Sequence, residues 1–281
     1  MSTAKPLIAL VISLSLLLML AGVNSVDAQA QNKLKIGNNL TVVDLGAWRA
    51  IYKGVEFRKV VVERAEPNYQ MELKLVRFDD RTITPRILPS GDFQLKSASA
   101  KTFVEKSGAL AAINANYFDE KGRPLAYLKT LNQEINRNVA KHPLYTGVFA
   151  IRDGAPIVSH REEFQPAQVS EALQSGPLLL NRGASAEIMR GLGRYARRSI
   201  VGIDKDGRAV IGVTDAVLGG LSFTELQELF ANPKAQLEIP DLLNLDGGGS
   251  AQLYLKAGKF EESVPGTTEV PVAIGFFAKA N

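Results

Sequence analysis

Segment 243–250 of the chain places an acid, three consecutive glycines and a hydroxyl directly after an apolar run. It reads Leu-Asn-Leu-Asp-Gly-Gly-Gly-Ser, with the acid at Asp246 and the hydroxyl at Ser250. Three glycines in a row cost backbone entropy, so they are expected where the chain turns sharply or approaches another group closely. Successive N–H groups in such a loop can bind an oxyanion. A tight glycine turn capped by Asp246 is an equally good interpretation of the segment taken alone.

Two asparagines end a second apolar run, over residues 109–118. Asn114 and Asn116 point to the same face if the run is extended. Their amides, next to Tyr117 and Phe118, suit a sugar, because amides bind hydroxyls and an aromatic ring covers the apolar side of the sugar. The competing interpretation is a strand end with Asx-turn hydrogen bonding, and the run taken alone favours it.

Residues 174–177 read Gln-Ser-Gly-Pro and lead into a short apolar run. Gln174 and Ser175 can present polar groups just before a buried strand. Taken alone, the pattern favours a bulge or a turn.

Arg198 and Asp215 stand at the two open ends of a predicted hairpin. An arginine at the start of a strand can bind a phosphate through two parallel hydrogen bonds, although many such arginines are solvated or paired. Asp215 can bring a carboxylate near Arg198, or it can simply end its strand. Glu225 has a structural explanation of its own, since Ser222 and Glu225 have the spacing of a helix capping box.

The elements that must position these residues are mostly short β-prone runs separated by turn residues. The turns 153–154 and 205–207, which read Asp-Gly and Lys-Asp-Gly, predict hairpins. The predicted strands cover residues 54–64, 69–79, 109–118, 147–152, 155–160, 199–204, 209–214 and 270–278.

Two helices are predicted, one over residues 97–106 from its apolar spacing and one from Ser222 to the residue before Pro233. Residues 252–255 fit either a third helix or a strand. The sequence therefore predicts a single α+β domain with a mixed or mostly antiparallel sheet and a few helices.

Composition excludes several classes of protein. The chain has 281 residues, 46% of them hydrophobic and 22% charged, which excludes collagen-like, coiled-coil and largely disordered chains. It has no cysteine, so disulfide scaffolds, zinc ribbons and thiol nucleophiles are excluded, and its two histidines argue against a histidine-rich metal centre. The net charge of +4 is spread along the chain without a basic stripe, so no nucleic-acid partner is expected.

Residues 1–30 have the pattern of a secretory signal peptide. Lys5 precedes an uncharged apolar stretch over residues 7–23, and small residues then lead to a cleavage site at Ala28 or Ala30. We expect cleavage to leave a domain over residues 31–281 with no stable membrane span, in the periplasm or outside the cell. An uncleaved membrane anchor is the alternative.

The order of these features resembles the phosphodiester glycosidase family. The pattern runs over residues 109–277, from N-x-x-[FY]-F through Q-[SA]-G-P-x-L, R-[ST]-x-[IV]-G, V-x-D and [ST]-x-x-E-L to N-L-D-G-G-G-S. The chain departs from the family where Asn114-Ala115-Asn116 replaces the usual Asn-Gly-Gly and where Ala216 replaces the usual glycine after Asp215. The added side chain of Asn116 is expected to narrow the sugar pocket.

The resemblance implies hydrolysis of a sugar-1-phosphodiester in an envelope or extracellular glycan, with release of the sugar and a phosphomonoester. By motif, the implied catalytic residues are Asp246, Asp215, Arg198 and Glu225. The implied substrate-binding residues are Asn114, Asn116, Gln174, Ser175, Gly176, Gly247, Gly248, Gly249 and Ser250.

Cleavage of a glycosyl–phosphate bond builds positive charge on the sugar ring, and a carboxylate stabilises that charge or activates water. Asp246 or Asp215 is the expected base or nucleophile, while Arg198 and the glycine amides stabilise the phosphate that leaves. The chemistry requires no cofactor and no metal ligand is predicted, but a calcium ion held by carboxylate and carbonyl oxygens stays an open alternative. A glycan-binding module without turnover and a metal-dependent phosphodiesterase are the competing functions.

Overall fold

The computed structural model describes residues 33–189 and 195–280. This part of the chain forms strands, two α-helices and four short 3-10 turns. The helices are α1 (Ala100–Ser107) and α2 (Phe223–Ala231), and the 3-10 turns are Ser90–Phe93, Pro166–Gln168, Pro233–Ala235 and Gly248–Ser250. The strands are β1 (Leu34–Ile36), β2 (Leu40–Asp44), β3 (Arg49–Tyr52), β4 (Val55–Arg64), β5 (Tyr69–Phe78), β6 (Ile83–Pro89), β7 (Ala111–Asn114), β8 (Leu128–Thr130), β9 (Gln133–Asn136), β10 (Gly147–Arg152), β11 (Ala155–His160), β12 (Glu171–Ser175), β13 (Leu178–Asn181), β14 (Ala184–Ser185), β15 (Ser199–Ile203), β16 (Ala209–Asp215), β17 (Asp241–Asn244), β18 (Leu253–Ala257), β19 (Phe260–Val264) and β20 (Val272–Ala278).

The strands form three sheets. The large sheet has ten strands in the order β1-β2-β4-β5-β16-β15-β17-β13-β14, with β3 paired to β4. Two five-stranded sheets have the orders β11-β10-β12-β8-β9 and β19-β18-β7-β20-β6. All strand pairs in the described residues are antiparallel, as the register of the central pair β15–β16 illustrates, with Ser199 opposite Val213. The α+β class with a mostly antiparallel sheet is therefore confirmed.

The large sheet is apolar on both faces, and each face packs against a different part of the protein. One face carries residues such as Val76 and Ile211, which join a core shared with the two smaller sheets. The other face carries residues such as Leu75 and Val210, which pack against Leu226 and Leu229 of α2. Because side chains alternate along a strand, neighbouring residues of one strand belong to different cores.

The predicted elements agree with the structure in most places. Both hairpins form as predicted, and α2 begins after Ser222 with the capping box in place. The helix expected over residues 97–106 begins later, because the hydroxyl of Ser99 accepts from Thr102 N and caps α1 there. After the glycines the strand alternative is correct, since a 3-10 turn leads into β18.

The signal peptide expected over residues 1–30 lies outside the described residues, so it stays a prediction. Across residues 33–189 and 195–280, neither helix is long and apolar enough to cross a bilayer.

Candidate active site

The end of β17 is fixed between the ends of β7 and β15. Leu245 N donates to Ser199 O at 2.8 Å, and Asp246 N donates to Ala115 O at 3.0 Å. Asn114 completes the junction, because its Nδ2 donates to Asp246 O at 2.7 Å while its Oδ1 accepts from Ser199 Oγ at 2.6 Å. Asn114 is fully buried. Its amide therefore holds the main chain of Asp246 in place from inside the protein.

The three glycines that follow Asp246 are explained by backbone conformation at one position and by close approaches at the other two. Gly248 has φ +60, a conformation that side-chain-bearing residues rarely adopt. A methyl group added to Gly247 would lie 2.8 Å from Arg197 O, and one added to Gly249 would lie 2.8 Å from Thr267 Oγ1. The glycine run is thus explained by one strained turn and two close approaches.

Two of the three glycine amides already have acceptors inside the protein. Gly247 N donates to Asp246 Oδ1 at 2.9 Å, and Gly248 N donates to Arg197 O at 2.8 Å. The sequence suggested that all three amides face an anion, and the structure shows these two engaged elsewhere. Stabilisation of a phosphate at this site therefore falls mainly on Arg198.

The carboxyl of Asp246 lies in a desolvated position. Burial raises the pKa of Asp246, and hydrogen bonds from the Ser250 side chain and the Gly247 amide offset this only in part. The phenol pKa values of Tyr117 and Tyr145 are raised as well, first by burial and then by the negative charge of Asp246. A carboxylate with a raised pKa accepts a proton more readily, which suits a general base near neutral pH.

Replacing Ser250 with alanine is expected to move the acidic limb of the pH profile of kcat/KM to higher pH. The hydroxyl of Ser250 stabilises the charged form of Asp246, so its loss raises the pKa of Asp246 further. Activity that depends on ionised Asp246 then disappears at a higher pH as the solution is acidified. The measurement is a pH–rate profile of both proteins, with Ser263→Ala on the exposed part of β19 as control. An acidic limb that stays in place would contradict the assignment of Asp246 as the titrating group.

Arg198 is held beside the glycine loop with its guanidinium buried. Its Nε donates to Leu221 O at 2.8 Å, and its Cζ lies 4.0 Å from the ring centroid of Phe223. A methyl group added to Gly247 would lie 3.7 Å from Arg198 Nη1, so the guanidinium and the glycine loop are neighbours. Burial lowers the pKa of Arg198, but an arginine remains cationic at neutral pH.

Glu225 is engaged at the start of α2. Its Oε2 accepts from Ser222 N at 2.9 Å, while Ser222 Oγ accepts from Glu225 N at 3.1 Å, which is the predicted capping box. The same oxygen accepts from Arg64 Nη2 at 2.7 Å. Its charge also acts on Arg198 and partly offsets the lowering of that pKa by burial. Glu225 therefore binds one buried cation, Arg64, and acts through its charge on a second, Arg198.

Arg64 is a buried residue of this region that lies outside all of the sequence motifs. It is the last residue of β4, and its side chain is 0% exposed. Besides Glu225 it binds the hydroxyl of Tyr69 through Nε, and it stacks 3.9 Å from the ring centroid of Tyr195. Its Nη1 is buried without a hydrogen-bond partner. Nothing in the local sequence of β4 signals this role, because its partners lie far along the chain.

Three oxygens in the predicted motifs are buried without a hydrogen-bond partner: Asn116 Oδ1, Ser175 Oγ and Asn244 Oδ1. Buried polar atoms of native proteins are nearly all hydrogen-bonded, so each exception needs an explanation such as a ligand or a bound water. The amide nitrogen of Asn116 is turned away, toward Tyr117 O at 3.0 Å. Asn114 and Asn116 thus differ in role, since the first is fully bonded and the second keeps a free acceptor.

Tyr117 and Asn244 join the motifs to one another, although neither was among the predicted site residues. Asn244 Nδ2 donates to Gly176 O at 2.8 Å and lies 3.2 Å from Tyr117 Oη. Tyr117 Oη also donates to Gly176 O, at 3.0 Å. A methyl group on Gly176 would overlap Leu144 O, which explains the glycine. Both residues stand inside the sequence motifs, so the signal for them was present.

Gln174 holds a loop rather than facing open space. Its Nε2 donates to Ala140 O and Tyr145 O, both at 2.7 Å, and its Oε1 accepts from Ala140 N at 2.8 Å. The side chain is 0% exposed. Its contact with the site is indirect, through the loop that carries Tyr145.

Asp215 does not meet Arg198 in the structure. Its Oδ2 accepts from Lys74 Nζ at 2.7 Å, and Glu262 binds the same ammonium group at 2.9 Å. Thr214 lies opposite Arg198 on the neighbouring strand, so these two side chains share one face of the large sheet. Because side chains alternate along a strand, the side chain of Asp215 lies on the other face. Of the two candidate carboxylates, Asp246 is the one beside the glycine loop.

The described residues contain no group of three or more histidine, cysteine, aspartate or glutamate side chains arranged to hold a metal ion. The expectation that no cofactor is required stays a prediction.

Residues 107–277 match the sequence profile of the phosphodiester glycosidase family. The chain belongs to the phosphodiester glycosidase family. The match contains β7, the glycine loop, Arg198 and Glu225, whereas Arg64 precedes it. No match to the chain is found among curated proteins.

Solved structures share the fold of this family member at low sequence identity. The catalytic domain of zebrafish N-acetylglucosamine-1-phosphodiester α-N-acetylglucosaminidase, auto-inhibited by its pro-peptide, has a TM-score of 0.63 and 14% identity, over 86% of this chain and 89% of the zebrafish chain. A hypothetical protein from Synechocystis has a TM-score of 0.58 and 17% identity, over 85% of this chain and 65% of its own. A Burkholderia pseudomallei protein named "Putative exported protein" has a TM-score of 0.51 and 11% identity, over 74% of each chain.

Proposed function

We propose that this protein hydrolyses a sugar-1-phosphodiester at the bond between the anomeric carbon and the phosphate oxygen. The observation that carries the proposal is the placement of a half-buried, desolvated carboxyl and a buried guanidinium beside one glycine. Gly247 N donates to Asp246 Oδ1, and the space beside its Cα faces Arg198 Nη1. A glycosyl phosphate needs both groups, because positive charge develops on the sugar as negative charge develops on the phosphate.

Asp246 is the carboxylate that acts at the anomeric centre, as nucleophile or as the base that activates water. Its raised pKa makes it a stronger proton acceptor than an exposed aspartate. Asp215 is already neutralised by Lys74 on the other face of the sheet. Water adds to the anomeric carbon, the carbon–oxygen bond to phosphate breaks, and the proton of the water ends on the phosphomonoester or in solution.

The sugar is bound by acceptors that the protein leaves unpaired. Asn116 Oδ1 and Asn244 Oδ1 are buried without donors, and sugar hydroxyls supply donors. The rings of Tyr117 and Tyr145, 5.4 Å apart between centroids, lie near Asp246 and supply an apolar surface for the sugar face. The substrate class we propose is a phosphodiester-linked glycan, of the kind that the zebrafish relative's name describes for that enzyme.

We place the activity outside the cytoplasm, in the periplasm or the surrounding medium. The support is the signal-peptide pattern of residues 1–30, together with a fold relative whose name describes export. Glycans joined through phosphodiesters in the cell envelope would then be within reach.

The proposal is tested with purified mature protein and a panel of sugar-1-phosphodiesters in water enriched in oxygen-18. We expect release of sugar, with the label in the sugar and none in the phosphate, because the carbon–oxygen bond breaks. Label in the phosphomonoester would instead establish a phosphodiesterase that cuts the P–O bond. Binding of the diesters without turnover would establish a glycan-binding module. Activity that persists in a chelator would confirm that no calcium is required, whereas loss that calcium restores would overturn that expectation.

A further inference from the structure

Two aliphatic side chains project into solvent beside the candidate active site. Val217 is 100% exposed and Leu218 is 74% exposed. They occupy the loop between β16 and α2, and we call this pair the apolar tip. Single exposed apolar residues are common. Two adjacent aliphatic residues with this exposure next to a functional site indicate a surface that binds an apolar group.

Both ends of the loop that carries the apolar tip are bonded to Arg198. Before the tip, Thr214 N donates to Arg198 O at 2.9 Å, and Thr214 Oγ1 accepts from Arg198 N. After the tip, Leu221 O accepts from Arg198 Nε at 2.8 Å. The tip is therefore the outer part of a loop that begins and ends at the proposed phosphate-binding residue.

Two glycines fix the base of this loop against the protein. Gly219 has φ +66, and a methyl group on it would lie 2.5 Å from Tyr69 Oη. A methyl group on Gly220 would overlap Ala196 O. The base of the loop thus packs closely against its neighbours, while the tip itself projects into solvent.

Tyr195 extends the apolar surface at the base of the loop. Its side chain is 53% exposed, and its ring lies 3.9 Å from Cζ of the buried Arg64. Arg64 in turn donates to Gly220 O at 3.2 Å, which places the ring close to the loop. The loop held by Arg198 and its base therefore expose an aromatic ring and two aliphatic side chains.

We infer that the substrate carries an apolar alkyl chain on the phosphate, so that the aglycone is a lipid and not a second sugar. The inference rests on the proposed function, which places the sugar at Asp246 and the phosphate at Arg198. The aglycone then leaves the phosphate toward the loop, where Val217 and Leu218 cover an aliphatic chain. A sugar aglycone would need hydrogen-bonding groups there, and the apolar tip supplies none from its side chains.

The inference is tested with two sugar-1-phosphodiesters that share one sugar and differ only in the aglycone, methyl or octyl, used below the micelle concentration. Each buried methylene group strengthens binding severalfold, so partial burial of the longer chain is expected to raise kcat/KM about tenfold, mostly through KM. The double variant Val217→Ser with Leu218→Ser is expected to lose most of this preference while its kcat/KM for the methyl diester stays near wild type. The matched control is Leu131→Ser, which changes another exposed leucine between β8 and β9.

Equal kcat/KM for the two diesters, or a preference that survives in the double variant, would overturn the inference. Titration calorimetry with the same diesters separates it from the proposed function. If the protein binds the octyl diester more tightly but turns over neither diester, the result supports the lipid aglycone and contradicts the proposed hydrolysis. If it turns over both diesters without dependence on the chain, the result supports hydrolysis and contradicts the lipid aglycone. Sedimentation with vesicles of phosphatidylglycerol and phosphatidylcholine tests the alternative that the apolar tip binds a membrane surface. Vesicle binding that the double variant loses, without an octyl preference, would assign the tip to a membrane surface and overturn the inference.

Discussion

Replacing Asp246 with asparagine is expected to lower kcat by about 10²–10⁴-fold on a sugar-1-phosphodiester, with little change in KM. Asparagine has nearly the same shape, and its Oδ1 can still accept from the Gly247 amide. It cannot carry the charge that stabilises the sugar cation or takes a proton from water. The loss therefore belongs to the transition state and appears in kcat.

The same substitution is expected to keep or raise the stability of the protein at neutral pH. Burial holds the pKa of Asp246 above its value in the unfolded chain. The folded state then binds the proton more tightly, so the free energy of unfolding falls as pH rises through this range. Asparagine removes that penalty, and the advantage of the variant should vanish below about pH 4, where the carboxyl of the unfolded wild type is also protonated.

Chemical denaturation at pH 7 and at pH 3.5 measures the free energy of unfolding of the Asp246→Asn protein. Initial rates on a sugar-1-phosphodiester measure its kcat. Asp153→Asn is the matched control, because Asp153 is exposed and has φ 52, a conformation that asparagine accepts. An Asp246→Asn protein that folds and retains wild-type kcat would remove Asp246 from the mechanism. A folded protein that loses activity together with stability at pH 7 would show that Asp246 is structural.

Local signals in the sequence were enough to predict much of the fold. The Asp153-Gly154 dipeptide and the Ser222 capping box act over a few residues, and both formed as predicted. The division into three sheets was out of reach, because strand order depends on contacts between distant residues. Strands such as β17 and β13 pair across more than sixty residues, and no single-sequence pattern specifies that pairing.

The sequence motifs contain most residues of the candidate site, but the motifs do not predict the role of each residue. Asn114 and Asn116 look alike in the sequence, yet one is fully bonded inside the protein and the other keeps a free acceptor. Asp215 and Arg198 lie near each other along the hairpin, and strand alternation sends them to opposite faces. Which face a side chain takes is set by the register, and a shift of one residue reverses it.

Arg64 shows what the motifs leave out. It precedes the family match over residues 107–277, and it binds Glu225 from a strand that the family pattern does not include. A buried arginine that loses its acid leaves an uncompensated charge, so the pair Arg64–Glu225 ties the N-terminal strands to the start of α2. The position of Arg198 depends on the same region, because Leu221 and Phe223 hold its guanidinium.

Replacing Arg198 with alanine is expected to lower kcat/KM about 10²–10³-fold on a sugar-1-phosphodiester, the usual cost of removing one preorganised donor from a developing anion. Arg198 is only 6% exposed, so the contribution of its charge is not screened as a surface charge would be. Arg198→Lys keeps the charge but loses the planar fork that rests on Phe223, so it should recover only part of the activity.

The alternative explanation, that Arg198 only holds the fold, is tested with two methionine variants. Arg198→Met keeps the packing on Phe223 and removes the charge, so it should fold but remain as slow as the alanine variant. Arg58→Met is the matched control, because Arg58 is also buried, donates to the carbonyls of Leu45 and Gln236, and lies outside the candidate site. It should lose stability in thermal melts while its kcat/KM stays within a few-fold of wild type.

Added guanidinium should restore turnover to Arg198→Ala but not to Arg198→Met, because only the alanine variant leaves a space that a free cation can fill. Wild-type rates in a folded Arg198→Met protein would show that the phosphate is stabilised elsewhere.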